Sequence, residues 1–159
     1  MMTLEETAVS LLKEKGYTVS TAESCTGGLL AGRIINVSGA SDVINVGFIT
    51  YANEAKMKYL GVSDETLKEH GAVSFECAKE MALGVVAQMN ADVGLATTGI
   101  AGPDGGTPEK PVGLVYIACS INGNVKAEEL HLNGTREEIR NTTVTKALEL
   151  LVACLSDQK

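Results

Sequence analysis

Residues 17–28 read Tyr17-Thr18-Val19-Ser20-Thr21-Ala22-Glu23-Ser24-Cys25-Thr26-Gly27-Gly28. The first half favours an extended strand, and the paired glycines favour a turn that leads into a helix. Strands joined to helices in this way are the units of α/β folds. Hydrolases place a nucleophilic hydroxyl at such a turn, and other proteins bind a phosphate there. The residues alone leave both interpretations of Ser24 open.

Strand and helix patterns alternate outward from this turn. We predict strands near residues 17–22, 43–51, 92–98, 112–121 and 124–132. Helices are predicted from Leu4, over 27–36, from a cap at Asn53 to Tyr59, from Ser63 to Gly71, from Ser74, and from a capping box at Thr135 and Glu138. Asn122-Gly123 is typical of a two-residue hairpin. The order predicts one domain over residues 1–159, a three-layer α/β/α sandwich with a mixed, mostly parallel sheet and one late antiparallel hairpin.

Composition and charge narrow the function classes. The net charge of −7 argues against a nucleic-acid scaffold, because no basic stripe is available to neutralise phosphates. No apolar run approaches the roughly 20 residues of a membrane span, and no signal peptide is recognised. The four cysteines are scattered without a C-x-x-C pair, so we expect reduced thiols, no metal site and a cytoplasmic location.

A base for Ser24 is the next requirement, because a serine hydroxyl needs one to act as a nucleophile at neutral pH. The sequence has only two histidines, His70 at a helix end and His131 on an edge strand, so a Ser-His-Asp triad is poorly supplied. Lys56 is the alternative base if burial or a nearby cation lowers its pKa. Tyr51 could relay the proton. Cys25 is a rival nucleophile whose side chain we expect to point away.

A second glycine-rich segment runs from Thr98 to Gly106. It lacks a Walker lysine and does not match G-x-G-x-x-G. Its length favours a functional loop, and its glycines allow backbone amides to approach a ligand. Arg136 and Arg140, at the start of the last helix, could each reach a phosphate or carboxylate.

Several segments together resemble the C-terminal domain of the competence/damage-inducible protein CinA, whose stand-alone versions are bacterial nicotinamide-nucleotide amidases. The resemblance covers nearly the whole chain, and its motifs are Ala22-Glu23-Ser24-Cys25-Thr26-Gly27-Gly28, Thr50-Tyr51-Ala52-Asn53-Glu54-Ala55-Lys56, His70-Gly71-Ala72-Val73-Ser74, Gly99-Ile100-Ala101-Gly102-Pro103-Asp104-Gly105-Gly106 and Lys110-Pro111-Val112-Gly113.

The resemblance implies hydrolysis of the carboxamide of nicotinamide mononucleotide, with Ser24 as nucleophile, Lys56 as base and Tyr51 assisting. We predict oxyanion and substrate contacts from Thr26, Gly27, Gly28, Thr98, Gly99, Gly102, Gly105, Gly106 and Arg140. No metal or cofactor is expected. The expected partner is a small mononucleotide, with no nucleic acid or membrane, and the family implies a homodimer or higher homo-oligomer. A non-catalytic nucleotide-binding or regulatory module and another amide or phosphoester hydrolase remain alternatives.

Overall fold

A computed structural model describes residues 1–158 and contains five strands. They are β1 (Val19–Glu23), β2 (Ile44–Ile49), β3 (Val93–Gly99), β4 (Leu114–Ile121) and β5 (Asn124–His131). The helices are α1 (Leu4–Lys15), α2 (Leu29–Ile35), α3 (Asn53–Leu60), α4 (Asp64–Glu69), α5 (Phe75–Met89) and α6 (Arg136–Ser156), with a 3-10 turn at Ala40–Asp42. Every predicted strand and helix is present, with ends shifted by a few residues.

The sheet has the order β2-β1-β3-β4-β5. The first three strands in this order are parallel, whereas β4 is antiparallel to both of its neighbours. Four strands therefore run in one direction, which confirms the mixed, mostly parallel sheet. The hairpin between β4 and β5 turns at Asn122 and Gly123, both with positive φ, as the dipeptide predicts.

Helices cover both faces of the sheet. One apolar core joins the sheet to α1, α2 and α6, and a second joins the opposite face to α3, α4 and α5. Gly84 lets α5 lie against the end of α3, since a Cβ at this position would fall 1.8 Å from the Leu60 carbonyl oxygen. Within residues 1–158, no helix combines the length and the apolar character needed to cross a membrane.

The helix N-caps test the sequence-based predictions at individual residues. Ser63 and Ser74 cap α4 and α5, and Thr135 forms the predicted capping box of α6. The predicted cap at Asn53 is wrong, because α3 already includes Asn53 and begins after Ala52, which makes no side-chain cap.

Candidate functional site

The carboxyl ends of β1, β2 and β3 meet at one edge of the sheet, where α/β proteins usually place their sites. Glu23 pairs with both Ile49 and Thr97, so the residues after β1 and β2 start at the same level. A pocket of about 200 Å3 opens there. Its lining includes Ser24, Cys25, Tyr51, Asn53, Lys56, Ala72, Val73, Thr98, Gly99, Ala101 and Arg136.

Ser24 and Lys56 form a direct hydrogen-bonded pair in this pocket. The Lys56 Nζ atom lies 3.0 Å from the Ser24 Oγ atom. It also donates to the carbonyl oxygens of Thr50, at 2.8 Å, and Tyr51, at 3.2 Å. A neutral amine has two N–H donors, which these carbonyls accept, and one lone pair, which then faces the Ser24 hydroxyl. The arrangement therefore suits a base that takes the proton from Ser24.

Burial prepares Lys56 for this role. Only 1% of its surface is exposed, and it lies in the first turn of α3, where the helix dipole disfavours a cation. Desolvation lowers the pKa of Lys56 below its ordinary value of 10.5. Among residues 1–158, no carboxylate forms an ion pair with Lys56 that would restore its charge.

Tyr51 contributes its backbone rather than its hydroxyl to the dyad. Its side chain is 65% exposed, and its hydroxyl lies 3.2 Å from the Arg136 guanidinium. The carbonyl oxygen of Tyr51 is the group that contacts Lys56. A proton relay through the phenol is not required by this geometry, since Ser24 and Lys56 touch directly.

Burial disfavours the rival nucleophile, and the two histidines lie outside the pocket. Cys25 lines the pocket but is also part of the apolar core, and burial raises the pKa of its thiol to about 12. His70 is exposed beside Glu69 and Glu76, and His131 is exposed beside Glu129. Neither histidine lines the pocket. Lys56 is therefore the basic side chain that the fold brings to Ser24.

The backbone of the turn determines which N–H groups could bind an oxyanion. The N–H of Gly27 donates to the Ser24 carbonyl, and that of Gly28 donates to the Glu23 carboxylate. The expectation that these two amides bind the oxyanion is therefore corrected. Within the described residues, the N–H groups of Cys25 and Thr26 have no hydrogen-bond partner. The amide directly after a serine nucleophile is the usual oxyanion donor.

The Glu23 side chain occupies the part of the turn where a phosphate could otherwise bind. Its carboxylate, 1% exposed, accepts hydrogen bonds from the N–H groups of Gly28, Leu30 and Ala31 at the start of α2. An internal anion therefore occupies the position where an external one would bind. One feature of the sequence indicated this arrangement. Gly28 is the N-cap of α2 and has no side chain, so another group has to accept hydrogen bonds from the first N–H groups of the helix.

The two arginines of α6 have different neighbours. Arg140 donates to the carbonyl oxygens of Cys25, at 2.9 Å, and Thr26, at 3.1 Å, so it braces the turn from outside the pocket. Arg136 lines the pocket and donates to the Gly102 carbonyl at 2.7 Å. Phosphate binding by Arg140 stays a prediction, but Arg136 is the guanidinium that faces the pocket.

The second glycine-rich segment is divided between the pocket and a neighbouring cavity. Thr98 and Gly99 line the pocket, and the Thr98 hydroxyl donates to the Ala72 carbonyl at 2.9 Å. Gly105 and Gly106 line a separate open cavity of about 510 Å3. Thus the first part of this segment shares the pocket with Ser24, and its last two glycines do not.

Four lining residues were not proposed as site residues from the sequence. Asn53 was interpreted as a helix cap, and Ala72, Val73 and Ala101 carry no reactive group. All four lie within motifs quoted above, which was the available signal.

Comparisons with known proteins agree with this architecture. The family model described as the CinA C-terminal domain matches residues 1–155. A CinA-like protein of Kosmotoga olearia is 55% identical over 148 residues, which cover 93% of this chain and 36% of that protein. A CinA-like protein of Dictyoglomus turgidum is 54% identical over 148 residues, with the same coverage of both chains. The chain thus spans about a third of the length of these curated relatives.

Solved structures extend the similarity to the fold. The competence/damage inducible protein CihA of Agrobacterium tumefaciens has 48% identity and a TM-score of 0.92, with 97% of this chain and 96% of that chain covered. The competence damage-inducible protein A of Klebsiella pneumoniae has 34% identity and a TM-score of 0.95, with 98% and 97% covered.

Proposed function

We propose that this chain, which belongs to the CinA C-terminal domain family, hydrolyses the carboxamide of nicotinamide mononucleotide to nicotinate mononucleotide and ammonia. The proposed role is the recycling of pyridine nucleotides. One observation carries the proposal: a buried lysine amine lies 3.0 Å from a serine hydroxyl at the end of a central strand. The choice of substrate comes from the family resemblance and is tested below.

The first half of the reaction forms an acyl-enzyme. Neutral Lys56 takes the proton from Ser24 as the Oγ atom attacks the amide carbon. The Thr50 and Tyr51 carbonyls that already accept from Nζ stabilise the ammonium that forms. The N–H groups of Cys25 and Thr26 donate to the oxyanion, and loss of one such donor typically costs roughly 3 kcal/mol of barrier.

The second half releases both products. The Lys56 ammonium gives its proton to the departing nitrogen as the C–N bond breaks, which yields ammonia and a nicotinoyl ester on Ser24. Water then attacks the ester, Lys56 takes a proton from that water, and the same proton returns to the Ser24 oxygen as the ester bond breaks. The dyad finishes in its starting state.

The phosphate of the substrate is assigned to Arg136. This guanidinium lines the same pocket as Lys56, its hydrogen-bond partners Tyr51 and Gly102 are neutral groups, and no carboxylate of residues 1–158 forms an ion pair with it. Arg–phosphate pairs are charge-assisted and frequently bidentate. Thr98 and Gly99, which also line the pocket, are proposed to contact the nucleoside part.

Ammonia release measured by a coupled glutamate dehydrogenase assay tests the proposal. We expect ammonia and nicotinate mononucleotide in equal amounts from wild-type protein, and neither product from Ser24→Ala. Binding of nicotinamide mononucleotide by correctly folded protein without turnover would instead support the nucleotide-binding module. Release of phosphate from p-nitrophenyl phosphate, with no ammonia from the amide, would support the phosphoester hydrolase.

A further inference from the structure

Glu23 is a buried carboxylate that the reaction above does not use. It is the last residue of β1 and directly precedes Ser24. Its Oε1 atom accepts hydrogen bonds from the Gly28 N–H at 3.1 Å, the Leu30 N–H at 3.0 Å and the Thr26 hydroxyl. Its Oε2 atom accepts from the Ala31 N–H at 3.0 Å and weakly from the Thr21 hydroxyl.

The charge of Glu23 is balanced by a helix rather than by a cation. Within residues 1–158, neither lysine nor arginine forms an ion pair with it. The partial positive charge at the start of α2 takes that place, and the three N–H donors are those that a local cap would otherwise satisfy. This carboxylate therefore ties the end of β1 to the start of α2 across the intervening turn.

The same carboxylate anchors the turn to β3. Because the Thr26 hydroxyl gives its one proton to Glu23, its oxygen accepts the proton of the Thr97 hydroxyl, 2.8 Å away. The Ser24 N–H donates to the Thr97 carbonyl at 3.0 Å. The Thr26 side chain and the Ser24 backbone, on either side of Cys25, are thus both fixed to Thr97 of β3.

We propose that Glu23 is a positioning residue for Ser24 and for the oxyanion donors. This inference rests on the proposed function. Glu23 binds the N–H groups of Gly28, Leu30 and Ala31 and the Thr26 hydroxyl, so it holds the backbone of the turn in one conformation. In that conformation the N–H groups of Cys25 and Thr26 have no hydrogen-bond partner within residues 1–158, and the Ser24 Oγ atom lies 3.0 Å from the Lys56 Nζ atom.

Glu23→Gln tests the proposal with almost no change of volume. The amide oxygen can replace one carboxylate oxygen, but the NH2 group then faces N–H donors, and the charge is lost. We expect kcat to fall roughly 30-fold and KM to change less than threefold, because displacements near 1 Å at a reacting atom can cost up to about 100-fold. A structural role alone would lower the melting temperature and leave kcat of the folded fraction unchanged, which would overturn the inference.

Two further variants keep the test decisive. Glu6→Gln is the matched control, because Glu6 accepts the Thr3 N–H in the capping box of α1 and has no contact with the pocket; its kcat should equal that of wild type. Thr26→Val retains the Thr26 N–H but removes the link between Glu23 and Thr97. We expect a kcat loss of about fivefold to tenfold, and this variant carries the test if Glu23→Gln does not fold.

A fluorophosphonate probe separates this inference from the choice of substrate. Such probes phosphonylate an activated serine and use the oxyanion donors, whatever the natural substrate. We expect the labelling rate of Ser24 to fall in Glu23→Gln in parallel with kcat. If wild-type protein is labelled but releases no ammonia, only the proposed substrate is refuted. The labelling rates of wild type and Glu23→Gln then test the positioning role of Glu23 by themselves. Equal labelling of wild type and Glu23→Gln overturns the positioning role.

Discussion

The two glycine-rich segments of this chain lie at the same edge of the sheet and differ in how they are held. The turn over 24–28 is largely buried, and it is bound from inside by Glu23 and from outside by Arg140. The loop over 100–113 is largely exposed between its ends. Its ends are fixed by hydrogen bonds between Ile100 and Leu114 and between Gly113 and Ile100.

This difference leads us to expect different roles for the turn and the loop, although both are rich in glycine. Bond-making requires reacting atoms within a fraction of an ångström, which a turn with paired polar groups can maintain. Recognition of a flexible ligand tolerates a looser segment, as binding loops usually are. We therefore expect changes in the turn to lower kcat and changes around the loop to raise KM.

The largest effect is expected from Lys56→Met, which keeps the length of the side chain and removes the base. We expect kcat to fall by roughly 10^4-fold or more, as for loss of other members of catalytic units. Lys58→Met is the matched control, because Lys58 is exposed two residues further along α3. Steady-state ammonia release, with folding checked by circular dichroism, measures both. Equal activity of the two variants would remove Lys56 from the mechanism.

The pH dependence of wild-type kcat/KM tests the same base without a substitution. Only neutral Lys56 accepts the Ser24 proton, so the rate should rise about tenfold per pH unit below the pKa of Lys56 and then level off. Because burial lowers this pKa, the plateau should begin below pH 10.5. Measurements above pH 7 avoid the second ionisation of the substrate phosphate, near pH 6. A rate that still climbs past pH 10.5 would contradict a lowered pKa.

A smaller effect is expected from Arg136→Met, and it should fall on binding. We expect KM for nicotinamide mononucleotide to rise roughly 30-fold with kcat within threefold, since hydrogen bonds to charged groups contribute about 1.5–3 kcal/mol. Nicotinamide riboside, which lacks the phosphate, should show almost no change. Lys146→Met, on the same helix but paired with Glu149, is the control for lost positive charge. Equal losses with both substrates would argue that Arg136 acts on the fold.

The smallest effect comes from a matched pair of glycine substitutions. Gly28 and Gly105 have φ of +101° and +92°, so Ala at either position should lower the free energy of unfolding by about 1–2 kcal/mol. Only Gly28→Ala should also lower kcat, by roughly tenfold, because the Gly28 N–H donates to Glu23 next to Ser24. Denaturant unfolding and initial rates measure the two quantities. The same kcat in both variants would show that the turn is no more sensitive than the loop.

Local patterns predicted the elements because their causes are local. Alternation of strands and helices, the positive-φ pair at Asn122 and Gly123, and the capping box of Thr135 each depend on neighbours within a few residues. The predicted cap at Asn53 was wrong because asparagine occurs both at helix caps and in pocket linings. A single sequence does not distinguish these two uses.

The structure brings the predicted reactive groups together, but the predicted supporting residues have other contacts. The Ser24 hydroxyl and the Lys56 amine lie 3.0 Å apart. Tyr51 contacts Lys56 through its carbonyl, and Arg140 donates to the backbone of the turn. Backbone carbonyls and amides are present at every position, so the identity of a residue does not reveal which of them point at a ligand.

The sequence by itself determined the α/β order and the serine at a strand-to-helix turn, and it predicted a lysine as the candidate base, because periodicity, turn chemistry and histidine scarcity are properties of the chain. The tertiary structure alone decided which groups at the opening turn are free. The carboxylate of Glu23 takes the anion position at α2, and the N–H groups of Cys25 and Thr26 have no partner in the part of the chain that the structure describes. That outcome depends on burial and on hydrogen bonds between elements, and these exist only after β1, β3 and α2 have packed together.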